Sequence, residues 1–190
     1  MLVNCVVEIV ESPYIRGVKV AHLRGLTDAR GIFIETFRKE WFPEYSWQEV
    51  QTNCSHSRAG VLRGLHYHLR QTDYWYVVQG TIRAGLVDLR RGSPTSRATQ
   101  VIEISNQNPM GLLVPCGVAH GFLALSDVIL TYLVDRYYDA ADEYGLAWND
   151  PELQLDWGLG DGEPLVSARD RMNPPLAHIP DQLLPCWDER

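Results

Sequence analysis

Gly60-Val-Leu-Arg-Gly-Leu-His66-Tyr-His68-Leu-Arg-Gln-Thr-Asp73-Tyr-Trp-Tyr-Val-Val-Gln-Gly80, followed downstream by Pro115-Cys-Gly117-Val-Ala-His120, carries three of the chain's six histidines. His66 and His68 are spaced by the two-residue repeat of a strand, so both rings fall on one strand face. Gln79-Gly80 offers a turn. Beyond it Ile82, Ala84 and Leu86 alternate with Thr81, Arg83 and Gly85, which predicts a strand with one apolar side. A closed or rolled sheet can then bring the face of His66 and His68 opposite His120.

Working outward, the same alternation predicts strands over 3–10, 18–23, 31–37, 100–104, 111–114, 121–125 and 129–134. So many short strands with turn residues between them read as an antiparallel sandwich or barrel. The two-residue period lapses over 38–42, where a short helix is expected, and 139–144 reads as a helical turn. From Asp150 onward Pro, Gly and Asp are frequent, so a loop-rich C-terminal tail should wrap the surface. Nothing divides the chain, and a single domain over 1–190 is expected.

Composition excludes several classes. The apolar runs fall far short of the roughly 20 residues of a spanning helix, and the first residues lack a basic segment and a small-residue cleavage site. A cytoplasmic protein is therefore expected. Cys5, Cys54, Cys116 and Cys186 are scattered with no C-x-x-C pair, which argues for reduced thiols over a zinc ribbon or a disulfide framework. The formal net charge of −7, with basic residues spread along the chain, lacks the footprint of a nucleic-acid binder.

Gly-x5-His-x-His-x4-acid-x6-Gly followed by Pro-x-Gly-x2-His resembles the paired signatures of the cupin superfamily, and the resemblance implies an all-β jelly roll. A closer likeness extends over 27–170. Asp28-Ala-Arg30-Gly-Ile-Phe33-Ile-Glu35, Gln51-Thr-Asn53-Cys-Ser55, Gly60-Val-Leu-Arg63-Gly-Leu-His66-Tyr67, Val87-Asp88-Leu-Arg90-Arg-Gly92-Ser93-Pro94-Thr95, Pro115-Cys-Gly117-Val-Ala-His120-Gly121-Phe122, Tyr137-Tyr138 and Trp148-Asn149-Asp150-Pro151 resemble the blocks of the dTDP-4-dehydrorhamnose 3,5-epimerase family. The resemblance implies a homodimeric isomerase that inverts C3, C5 or both of a nucleotide-linked 4-keto-6-deoxy sugar without a cofactor. The N-terminal strands, including the Gln51 region, would complete the pocket of the second copy.

The chemistry needs few groups. A ketone acidifies the hydrogens on neighbouring carbons, so a base removes one, an enolate forms, and an acid returns a proton to the other face. By resemblance the base is His66, Asp170 in Ser167-Ala-Arg169-Asp170 orients it, and Tyr132 is the acid. An imidazole titrates near neutrality and suits reversible proton transfer. Arg63 and Arg30 resemble the arginines that grip the diphosphate or sugar, and Gln51, Asn53, Phe33, Glu35 and His120 the residues of the pocket wall.

Two positions depart from the family pattern. Asp73 stands where a lysine would hold the enolate oxygen, and His68 where a glutamine is expected. A carboxylate about 4 Å from an enolate costs on the order of 4 kcal/mol at an effective dielectric near 20, about a thousandfold in rate. Arg63, His120 or Arg70 is expected to neutralise Asp73, or burial to keep it protonated. Alternatively His66, His68, Asp73 and His120 form a three-histidine, one-carboxylate set for a divalent transition metal, as in a metal-dependent cupin enzyme. A non-catalytic sugar-nucleotide binding protein is the remaining reading.

Overall fold

The computed structural model describes residues 7–160 and 162–187. Its strands are β1 (Glu8–Glu11), β2 (Lys19–His22), β3 (Gly25–Asp28), β4 (Gly31–Ile34), β5 (Gln51–Ser57), β6 (Val61–Tyr67), β7 (Asp73–Gln79), β8 (Thr81–Asp88), β9 (Thr99–Ser105), β10 (Met110–Val114), β11 (Val118–Ala124), β12 (Val128–Val134), β13 (Tyr144–Gly145) and β14 (Leu165–Val166). One sheet runs β1-β2-β10-β7-β12-β5 and the other β13-β6-β11-β8-β9, with β14 beside β6. All pairings are antiparallel except that of β14 with β6. The expected all-β jelly roll is what forms.

The alternation read from the sequence explains why the sheets stack. Ile82, Ala84 and Leu86 of β8 are fully buried and meet Trp75, Val77, Leu112 and Leu130 from the facing sheet. Two inner faces interdigitating in this way make the core of a sandwich. Truncating a buried leucine of this layer, such as Leu112, costs about 2–5 kcal/mol.

Both outer faces are also covered. Phe37 and Phe42 pack on Tyr74 on the back of the first sheet, with Trp47 edge-on to Phe37, and the Tyr74 hydroxyl donates to the Thr36 carbonyl at 2.6 Å. On the back of the second sheet Leu153, Trp157, Leu176 and Ile179 of the tail pack on Leu65, Tyr67 and Val87. Gly85 leaves room for this, since a Cβ there would lie 2.5 Å from the Trp157 ring. The tail has the expected short turns, but its apolar residues make it a third layer rather than a surface wrap.

Details differ from expectation. Positions 3–6 of the first strand, and Cys5, lie outside the described residues, and β1 accounts for the rest. The strand expected over 31–37 stops at Ile34, because Phe37 turns into the aromatic cluster. The expected helices at 38–42 and 139–144 are single 3-10 turns, Lys39–Trp41 and Ala140–Asp142. Among the described residues no helix is long and apolar enough to cross a membrane.

Candidate active site

Between the sheets a cavity of about 890 Å3 is lined by polar side chains from β5, β6, β7, β11 and β12 and by the Ser167–Asp170 turn. Strand β6 pairs with β11 so that His66 stands beside His120, but the register slips by one before Arg63 meets Phe122. The slip is possible because Gly64 faces Gly121, where a Cβ on Gly64 would lie 2.6 Å from the Gly121 Cα. A bulge of this kind re-aims side chains. As a result Arg63, His66 and His68 all line the cavity, although strict alternation would send Arg63 to the opposite face.

His66 Nε2 lies 2.8 Å from Asp170 Oδ1. Ser167 caps the turn by accepting from the Asp170 backbone N–H at 3.0 Å, which fixes the carboxylate under the imidazole. Burial pushes the Asp170 pKa up, but the hydrogen bond and charge of His66, with the hydrogen bonds to Gly64 and Ser167, together outweigh it and the net direction is down. Asp170 therefore stays ionised and accepts, so Nε2 carries the proton. The other ring nitrogen, Nδ1, has no hydrogen-bond partner among the described residues and is free to take a proton.

Tyr132 lines the cavity from β12, in the sheet opposite β6. Burial, together with the charges of Asp73 and Glu143, raises its pKa against the pull of Arg63, so the phenol stays protonated. Gln51 and Asn53 line the same wall and hydrogen-bond each other at 2.9 Å. Arg63 is held by Ser57 Oγ at 3.0 Å, and its guanidinium remains exposed at the cavity. The sequence reading missed Glu143 and Arg169, which pair at 2.8 Å beside Tyr138 and also line the cavity. Arg169 adjoins the singled-out Asp170, whereas no local pattern marks Glu143.

Asp73 is 3% exposed. Its carboxylate accepts from Gln71 Nε2 at 2.8 Å and Trp75 Nε1 at 3.4 Å, and lies 3.4 Å from His120 Nε2. Burial raises the Asp73 pKa, but His120, His68 and Gln71 together outweigh it and the net shift is downward. His120 answers in kind: burial lowers its pKa, Asp73 outweighs that, and the imidazole is held above its ordinary value. Asp73 is thus an ionised partner of His120, not the protonated acid considered from the sequence. Arg70 is not the neutralising group, because it turns to Asp139 at 2.6 Å and Asp142 at 3.7 Å.

The remaining residues singled out from the sequence fall in different places. Among the described residues only His68, Asp73 and His120 converge as a ligand group, because His66 is committed to Asp170. Arg30, Phe33 and Glu35 do not line this cavity. Arg30 pairs with Asp28 across the β3–β4 hairpin, Glu35 pairs with Arg38, and Phe33 is 70% exposed. Gln51 lines the cavity of its own chain.

A jelly roll holding a histidine–carboxylate couple on one wall and a protonated tyrosine on the other belongs to the cupin-like isomerases that work by moving protons. The sequence profile of the dTDP-4-dehydrorhamnose 3,5-epimerase family matches residues 13–178, and the chain belongs to that family. It is 39% identical over 156 residues to the Pseudomonas aeruginosa dTDP-4-dehydrorhamnose 3,5-epimerase, covering 79% of this chain and 86% of that one. The structure of dTDP-6-deoxy-D-glucose-3,5-epimerase RmlC from Legionella pneumophila, in complex with dTDP-4-keto-L-rhamnose, superimposes with a TM-score of 0.89 at 32% identity over 96% of this chain and all (100%) of that one. ChmJ, a 3'-monoepimerase from Streptomyces bikiniensis in complex with dTDP-quinovose, gives 0.85 at 32% identity over 90% of each chain.

Proposed function

We propose that the chain epimerises C3, C5 or both of a nucleotide-linked 4-keto-6-deoxy sugar in deoxysugar biosynthesis. The observation that carries this reading is the 2.8 Å His66–Asp170 couple on the cavity wall, with Nδ1 open. His66 Nδ1 takes the proton from the carbon beside the ketone. Asp170 keeps its bond to Nε2–H throughout, holding the ring in place and stabilising the imidazolium that forms. Tyr132 projects from the opposite sheet, so a proton it donates reaches the other face of the sugar ring, which is what inversion requires. Neither proton transfer needs an organic cofactor.

Arg63 stands at the cavity wall on the base's own strand, suited to the diphosphate as a planar bidentate donor. Ser55 Oγ, also at the cavity, is buried without a protein partner and can bond a sugar hydroxyl. We place the enzyme in the cytoplasm, a compartment that suits the free thiols of Cys54 and Cys186. We also infer a homodimer, in which the β3–β4 hairpin of one copy, with Ile32 and Phe33 exposed at 62% and 70%, meets the second copy.

Incubation with dTDP-4-keto-6-deoxyglucose in deuterated water tests the activity. Deuterium is expected at C3, C5 or both, and the pattern tells single from double epimerisation. Tight binding with no exchange at either carbon would leave only a sugar-nucleotide binding protein.

A further inference from the structure

The structure assigns His68, Asp73 and His120 as the ligands of one divalent transition-metal ion in the floor of the cavity. Each offers an atom, and the three atoms lie within 4.8 Å of one another, all on buried or half-buried side chains. His120 Nε2 and Asp73 Oδ2 are 3.4 Å apart. That is about the spacing of two ligands on one ion bonded at roughly 2.1 Å in tetrahedral geometry.

The surroundings of the two imidazoles point the same way. His68 Nδ1 is 2.6 Å from the Asp142 carbonyl and His120 Nδ1 is 2.9 Å from the Val118 carbonyl. A carbonyl only accepts, so both Nδ1 atoms carry hydrogen and both Nε2 atoms are the ones that can take a ligand bond, the ion replacing the proton that His120 otherwise shares with Asp73. Metal-binding histidines are oriented by this kind of outer hydrogen bond. Gln71, donating to Asp73 Oδ1 at 2.8 Å, steadies the carboxylate similarly. Two histidines and one carboxylate suit iron(II), manganese(II), zinc(II) or a neighbouring ion. All three side chains line the cavity, so the ion's other positions go to water or to a substrate oxygen. Resting on the epimerase reading, that oxygen is the sugar ketone, and a bound cation supplies the positive charge an enolate needs where Asp73 alone would repel it.

Metal content tests the assignment without reference to turnover. The full chain is stripped with a chelator, dialysed against zinc(II), manganese(II) or cobalt(II), gel-filtered and analysed by elemental mass spectrometry. About one ion per chain is expected, with the visible absorption of a protein-bound cobalt(II) ion. His68→Gln and Asp73→Asn should each weaken retention by about tenfold or more, with folding checked by circular dichroism. If Asp73→Asn does not fold, His68→Gln alone decides. Uptake well below one ion per chain, or equal retention by the folded variants, overturns the site and leaves His120 as a proton-bearing partner of Asp73. Deuterium exchange is scored separately. A chain that takes up no metal on reloading yet exchanges substrate protons sinks the metal site and spares the epimerase, and a chain that takes up about one ion but does not exchange does the reverse.

Discussion

Asp88 and Asp73 are both carboxylates sealed into strands of the sandwich, at 0% and 3% exposure, yet their partners are arranged differently. Asp88 takes two guanidinium bonds from Arg90 at 2.8 and 2.9 Å, and hydroxyl bonds from Ser93 at 2.6 Å and Thr95 at 2.8 Å. Every donor comes from one corner of the chain, and the Trp187 ring lies 4.5 Å from the Arg90 guanidinium carbon. Asp73 draws on Gln71 and Trp75 nearby but on His120 from another sheet, with His68 close and a cavity in front. A buried charge whose partners close around it holds a fold together, whereas one that faces a cavity is available to a ligand.

The largest effect should come from the closed site. Asp88→Ala leaves Arg90 buried without its counter-ion, a loss of about 3–5 kcal/mol from a total stability of roughly 5–15 kcal/mol. Denaturant unfolding measures it, and a change under about 1 kcal/mol would break the distinction between the two carboxylates. The next effect belongs to the cavity. Asp170→Asn keeps the shape and a carbonyl acceptor but removes the charge that stabilises the His66 imidazolium. Deuterium exchange should slow by about a hundredfold while the unfolding midpoint falls far less than in Asp88→Ala. Loss of stability in step with loss of exchange would show that Asp170 is a structural group like Asp88.

Acid sharpens the same contrast. For Asp88 burial raises the pKa, but Arg90, Ser93 and Thr95 together outweigh it, so Asp88 and Asp170 both have native pKa values below their unfolded ones. Each therefore contributes stability that is present above roughly pH 4, the unfolded value, and is lost as pH falls through the lower native value. Asp88→Asn should flatten this acid limb of the stability profile. A limb unchanged in Asp88→Asn would mean that other carboxylates set it.

The fold was legible because its core obeys alternation, as the β8 series Ile82, Ala84 and Leu86 does. Strand β5 escaped the pattern reading, since Gln51–Ser57 is polar throughout: its inward side chains face the cavity rather than the core, although burial alternates along it. His66, Asp170 and Tyr132 were named only through family likeness, because Asp170 reaches its partner across 104 positions of sequence. The block around Asp88 grouped with the epimerase motifs, and the structure shows a corner lock away from the cavity. The division of His66 from His68, Asp73 and His120 was illegible too, since which ring turns to which partner depends on the Gly64–Gly121 contact and the Ser167 turn.

A third pair, Arg30 with Asp28, is neither closed in nor facing the cavity: its side chains are 90% and 52% exposed on the β3–β4 hairpin. Solvent screens such a pair, so Arg30→Ala should leave the unfolding midpoint where it is. If the hairpin reaches a second copy, the same change should raise KM for the sugar nucleotide about tenfold, as the loss of one charge-assisted hydrogen bond would, with kcat nearly unchanged. Phe33→Ala should do the same and shift sedimentation toward the monomer, because a 70% exposed aromatic ring has little to hold in its own chain. A monomeric parent protein with KM indifferent to both changes would make the hairpin surface decoration, and would confine the site to residues of a single chain.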